Sequence, residues 1–295
     1  LSSRACGVCG AVHSICSSMA LEMALPVEPP PMGVWARNMG QAAAFLYDNS
    51  LHLHLLAGPD YSAAMMADTN PDLLATVGEI MEGLNPLEGD LYLSALEKTR
   101  DARQMASLML GKYPHPSTIA PGGVTTTLSR SSFTQFYTRL DDMFDWAKQV
   151  AYLWDDLMDF MLEEQAGFEH VGEHPKNMIG TGVYDDPDVY NARYEDADEW
   201  GNARLAYYED WTDEAVPFDT SPAGDPLSPY HPWNKETRPK PDGKSWRERY
   251  TWGTAPRWDR HTMECCPHAR LWITALAEEV DNPFIRPTGD GIEFD

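Results

Sequence analysis

A chain of 295 residues with 43% apolar composition is long enough to bury roughly 70 to 75% of the surface its unfolded form exposes, as one large domain or two modest ones. Its 22 Lys and Arg face 46 Asp and Glu, a formal net charge of −24. This acidity argues against binding a nucleic-acid backbone and leaves small molecules, metals and protein partners as ligands. No apolar run of about 18 residues crosses a bilayer as a helix, and no signal peptide is visible.

The first residue is Leu1 rather than Met, and the stretch "SRACGVCGAVH" begins at once, which points to an upstream segment that has been removed or left out. Three of the five cysteines, Cys6, Cys9 and Cys16, crowd this beginning, and Cys265 and Cys266 are adjacent near the end. Sparse, clustered thiols beside histidines read as metal ligands in a reducing compartment rather than as a disulfide framework. Residues 14–25 are mostly small and apolar and predict a helix ending before Pro26. Pro29, Pro30 and Pro31 then form a stiff turn. Helical character resumes from residue 34 to 56, with Met39, Ala43, Leu46 and Tyr47 on one side.

Thr69-Asn70-Pro71-Asp72 combines a capping side chain, a proline where no donor is needed and an acid in the first turn, so a helix is expected to start there. A second start is expected at Asn85-Pro86. The clearest element covers residues 131–164, where Phe136, Leu140, Met143, Val150, Leu153, Leu157 and Met161 recur at helical spacing. Asp141, Asp145, Asp155, Asp159 and Glu163 occupy another side and read as solvated acids, since no Glu-x-x-His partners accompany them.

From residue 167 to 254 Gly, Pro, Asp and aromatics mix without a sustained period, predicting loops and short strands. The ten tryptophans of the chain, several of them here, oppose free disorder. A short helix is expected over residues 268–280, and the ending "PTGDGIEFD" offers no capped element. The division is therefore a helical core at 1–166, an irregular aromatic-rich excursion at 167–254 and a return segment at 255–295.

Cys6 and Cys9 have the spacing that lets two thiolates converge on one metal, with Gly7 easing the tight backbone between them. Arg4 would place positive charge nearby. His13 and Cys16, one and two turns into the helix, could complete a zinc or iron-sulfur site. Spacing alone leaves a structural metal, a catalytic metal and a redox dithiol open.

"RACGVCGAVH" resembles the amino-terminal cysteine motif of nickel-iron hydrogenase large subunits. "PPPMGVW" with "NMGQAAAFLYDN", "GKYPHPSTIAPGGV" and "APRWDRHTMECCPHARLW" resemble further stretches of that family in the family's order, together covering nearly the full chain. The resemblance implies a helix-rich fold, mainly α with minor β, and a catalytic subunit that oxidises dihydrogen at a nickel-iron centre carrying cyanide and carbon monoxide on iron. It makes Cys6 a terminal nickel thiolate, Cys9 a thiolate bridging nickel and iron, and His13 a partner that fixes thiolate charge and orientation. It further implies heterolytic cleavage with a thiolate such as Cys6 as proton acceptor, and an iron-sulfur small subunit as electron partner.

The family's second cysteine pair, in a carboxy-terminal Asp-Pro-Cys-x-x-Cys-x-x-His motif, does not occur here, and adjacent Cys265 and Cys266 do not reproduce its spacing. The family's proton-relaying glutamate, upstream of the first motif, is likewise not present. A fragment, a subunit split between chains, and a shortened structural or assembly paralogue each account for this, and a structural zinc or iron-sulfur protein is the alternative outside the family. The expected location is cytoplasmic, or membrane-associated through partners. His115 reads as part of a buried loop held by side-chain bonds, the functional alternative being contact with the metal pocket or the electron partner. Arg37 supports no functional claim, and Arg257 and Arg270 read as packing or ion-pair residues.

Overall fold

In the computed structural model the described residues are 1–171, apart from 26 and 67–70, together with scattered positions between 184 and 190 and the backbone of short strands beyond. The chain divides into two compact units, Leu1–Val171 with Ala192–Tyr194, and Gly172–Asn191 with Glu195–Asp295. The fold is predominantly helical with minor β content.

The first unit opens with a single 3-10 turn, Ser2–Ala5, followed by α1 (Gly10–Ala24) and α2 (Pro31–Leu51). Helix α1 begins four residues before the expected start because Cys9 and Gly10 already close its first turn, with the His13 amide donating to the Cys9 carbonyl. Helix α2 starts on Pro31, whose missing N–H costs nothing at a first helical position. Its last part, expected as continuous helix, widens into one π-type turn at His52–Ala57, where the buried His54 ring meets the Ser50 carbonyl.

Next come α3 (Ala63–Met66), α4 (Pro71–Gly83) and α5 (Asp90–Leu110). Helix α4 starts at the expected proline, while the expected start at Asn85-Pro86 does not hold. Asn85 forms a turn instead, its carbonyl accepting from the Glu88 and Gly89 amides and its side chain accepting from the Ala64 amide. Helix α5 therefore begins five residues later, at Asp90 after extended Gly89. A short hairpin of β1 (Ile119–Ala120) and β2 (Gly123–Val124) precedes α6 (Arg130–Glu164). Ser129 caps α6 by accepting the Ser132 amide at 3.1 Å.

Helices α2 and α5 meet through small residues. Ala36, Ala43 and Ala44 on one side and Ala95, Ala102 and Ala106 on the other are fully buried. A Cβ on Gly40 would stand 2.6 to 2.8 Å from the Leu110 side chain. Helix α6 joins two cores. Phe136 and Met143 pack with Met105, Met109 and Tyr47, whereas Leu157 and Met161 pack with Val77, Met81 and Leu84. Its buried stripe is narrower than the sequence pattern, since Leu140 is 37% exposed and Leu153 half-buried. The acids Asp141, Asp145, Asp155, Asp159 and Glu163 are all exposed, as expected of solvated groups.

One ionic link ties the beginning of the unit to the hairpin. Arg37 of α2 donates to both carboxylate oxygens of Glu22 of α1, at 3.0 and 2.6 Å, and to the carbonyls of Ala120 and Gly123. Glu22 in turn accepts the Gly122 amide at 2.7 Å. This structural role agrees with the sequence reading of Arg37.

In the second unit the strands β3 (Met178–Gly180), β4 (Ala206–Tyr208) and β5 (Val216–Pro217) form an antiparallel three-stranded sheet. Two hairpins follow, β6 (Arg257–Trp258) with β7 (His261–Thr262) and β8 (Ile285–Thr288) with β9 (Gly291–Phe294). The last hairpin gives the ending a paired element that the sequence reading did not expect. The helix expected over residues 268–280, together with Cys265, Cys266 and Arg270, lies outside the described residues.

Candidate metal centre

The loop from Cys6 to Cys9 lies between the first 3-10 turn and α1. It folds back so that the Cys9 amide donates to the Cys6 sulfur at 3.1 Å. Sulfurs of Cys6 and Cys9 and a ring nitrogen of His13 all lie within 4.8 Å of one another. His13 reaches the pair because it stands one turn into α1, on the side that carries Cys9. Cys16, one turn further on, is exposed and falls outside this group. Of the two residues that could complete a site with the cysteine pair, His13 alone joins the group.

The two thiols are electrostatically unequal. Burial pushes Cys6 up, but hydrogen bonds from the Cys9 side chain and from the Cys9 and Val8 backbone outweigh it and leave Cys6 below the ordinary thiol range. Burial, the hydrogen bond to Cys6 and repulsion from Cys6 push Cys9 up to about 12. Of the two, Cys6 is therefore the more readily ionised and Cys9 the one that holds its proton more tightly. Arg4 is exposed and contributes nothing to this shift; backbone donors supply what the sequence reading assigned to its charge.

Two groups that sequence reasoning did not single out, Asp48 and Tyr113, stand around the thiols. Burial lifts the Asp48 carboxyl to about 6, its Oδ1 has no hydrogen-bond partner, and its charge disfavours both thiolates. Tyr113 is held well above the ordinary phenol range by burial and then by Asp48, Tyr47, Cys9 and Cys6. Its buried hydroxyl also lacks a partner, and its ring meets Tyr47 edge-on at 5.1 Å. The only sequence signal was their place inside "NMGQAAAFLYDN" and "GKYPHPSTIAPGGV".

His115 belongs to the same neighbourhood. A Cβ on Gly10 would stand 2.5 Å from His115 Nδ1, 2.7 Å from the Pro114 carbonyl and 2.8 Å from the Ser3 carbonyl. Glycine next to Cys9 is therefore what lets the His115 loop close on the cysteine motif. The loop is half-buried and is held mainly by backbone bonds, from the Ser117 amide to Leu110 and the Thr125 amide to Thr118, rather than by the side-chain bonds expected.

A family model described as "Nickel-dependent hydrogenase" matches residues 1–82 and 85–285. The chain belongs to the nickel-dependent hydrogenase family. It resembles the large subunits of that family, being 22% identical over 99% of its length to the uptake hydrogenase large subunit of Cupriavidus necator, of which it covers 60%. Against the hydrogenase-2 large chain of Escherichia coli it is 24% identical over 93% of its length, covering 58% of that protein. Among solved structures, the actinobacterial-type NiFe-hydrogenase from Ralstonia eutropha H16 aligns with a TM-score of 0.79 and 32% identity, over 99% of this chain and 62% of that one. The Ni-Fe-Se hydrogenase from D. vulgaris Hildenborough shares the fold, with a TM-score of 0.70 at 22% identity, over 97% of this chain and 56% of its own. The chain spans about 60% of the length of these large subunits. No described helix is long and apolar enough to cross a membrane.

Proposed function

We propose that this chain is part of a hydrogenase catalytic subunit that oxidises dihydrogen to protons and electrons at a nickel-iron centre, with Cys6 and Cys9 as half of its thiolate ligands. The observation that carries the reading is the convergence of Cys6, Cys9 and His13 within 4.8 Å in a chain matched by the family model over nearly its whole length. The donor set fits, because soft thiolates suit nickel and low-valent iron.

In this reading Cys6 would be a ligand of nickel, Cys9 a ligand of both metals, and His13 would orient a thiolate and help fix its charge. Two further thiolates would come from another segment or a companion chain, and the iron would carry cyanide and carbon monoxide. When bound, such a centre supplies the two-electron chemistry that cleaves dihydrogen. The chain's own part is to hold the sulfurs and move the proton. Cys6, or its counterpart in the second thiolate pair, would be the sulfur to accept it, since Cys9 would share its sulfur between the two metals. Single electrons then leave through a partner bearing iron-sulfur clusters, docked near the cysteine motif and the His115 loop.

Intact-mass analysis of the native chain with metal analysis of its complex tests the proposal. Nickel and iron in the complex, with a second CxxC pair on the chain or a companion, support it. Neither metal in the native complex overturns it. One observation favours a second reading: a Cys-Cys-His set also suits a structural zinc site, and zinc alone in that metal analysis would select it.

A further inference from the structure

Helices α5 and α6 flank an open surface cleft of about 500 Å³ with Arg100, Arg103 and Arg139 along it. Three guanidiniums in one cleft are unexpected on a chain with a net charge of −24 unless something compensates them. Among the described residues the ion pairs are Arg37 with Glu22 and His170 with Glu169, so no carboxylate pairs with any of the three.

Neutral groups hold two of them in place. Arg139 donates through Nε to the Gln104 side chain at 3.0 Å and through Nη1 to the Gln135 carbonyl at 2.9 Å. Arg103 lies over the Tyr47 ring, 5.9 Å from its centroid. Their charges are thus fixed in position but not neutralised, which is how a site for an anion is prepared. The Ser107 hydroxyl is committed to the Arg103 carbonyl at 2.7 Å, so the guanidiniums supply the donors, while Leu108 and Tyr113 complete the wall.

We propose that this cleft is a binding site for a small organic oxyanion, a phosphate-bearing molecule with an aromatic or apolar body. The volume lies within the range of about 300 to 1,000 Å³ common to small-molecule sites and exceeds what a bare phosphate fills. A small ligand is also favoured over an acidic protein surface. The net charge of the chain repels a highly charged macromolecule far more than a dianion, while three arginines act on the dianion at contact range, inside the screening length of about 8 Å. The proposal does not depend on the metal chemistry.

The test is calorimetric titration of the full chain in its native assembly with phenyl phosphate, inorganic phosphate and phenol. Phenyl phosphate should saturate a single site, bind at least about tenfold more tightly than inorganic phosphate and weaken as salt rises, and phenol should not saturate. Arg103→Gln with Arg139→Gln should weaken phenyl phosphate at least about tenfold. Since Arg139 also links α5 to α6, the exposed Arg100→Gln provides a variant that leaves the packing alone, and it should weaken binding several-fold with an unchanged melting temperature. No saturable binding, equal affinity for both phosphates, or affinity unchanged in Arg100→Gln and in the double variant would each overturn the proposal.

Discussion

Cys6 and Cys9 differ in their surroundings. Donors from the Cys9 side chain and the Cys9 and Val8 backbone favour the anion of Cys6, whereas burial and then Cys6 itself hold the proton on Cys9. In the chain freed of metal, iodoacetamide at pH 8 should therefore alkylate Cys6 well ahead of Cys9, as peptide mass mapping over a time course will show. Equal rates would overturn the inequality of the two thiols. Asp48 offers a pH test. Its carboxyl binds a proton more tightly folded, near 6, than at its ordinary value of 3.8. The contribution of Asp48 to stability is thus fully present below about pH 4 and is lost as pH rises through about 6. The full difference corresponds to ~3 kcal/mol, and partial exposure to solvent reduces it to about 1 to 2 kcal/mol. Urea unfolding of Asp48→Asn should match the wild type near pH 4 and exceed it by that amount at pH 8.

Helices show how far a pattern can be read. Phe136, Met143, Val150 and Leu157 of α6 are seven apart, and all four are buried, so period alone located this helix. Leu140 misled because α6 packs on its neighbours along a single seam, and a residue half a repeat away falls on its flank. The start of α5 was misread because Asn85-Pro86 carries turn chemistry as well as capping chemistry, and which one prevails depends on Ala64, twenty-one residues away. At Gly40 the requirement is steric. Gly40→Ala should cost about 1 to 3 kcal/mol by driving a methyl into Leu110, with Leu110→Ala restoring part of the loss in thermal unfolding. Glu22→Gln leaves Arg37 buried without its counter-charge. It should cost about 3 to 5 kcal/mol and release the hairpin that Glu22 and Arg37 hold, which proteolysis around residues 119–124 would report.

Across the first unit, the cysteine site is half local and half assembled. Cys6, Cys9 and His13 are brought together by one loop and one helical turn, and such short-range geometry follows from spacing. Asp48, Tyr113 and His115 reach the same place from the end of α2 and the loop after α5, so their proximity depends on tertiary packing that no local pattern encodes. Gly10 is where the two halves meet, and Gly10→Ala should push the His115 loop and the Ser3 turn away from the cysteine motif. If the chain holds nickel as proposed, a drop in nickel content at unchanged helix content by circular dichroism is the expected signature. The alanine and glycine seam between α2 and α5 has a consequence in time as well as space. Close-packed backbones leave no route for water without separating both helices, so amides along this seam should open only with the whole unit. Helix α4 carries a break at Val77, with φ −116° and ψ 18°, and can fray without disturbing the seam. In deuterium exchange, amides of α4 should label in the earliest phase, and those of α2 and α5 flanking Gly40 and Ala106 should label last and together, at the rate of global unfolding.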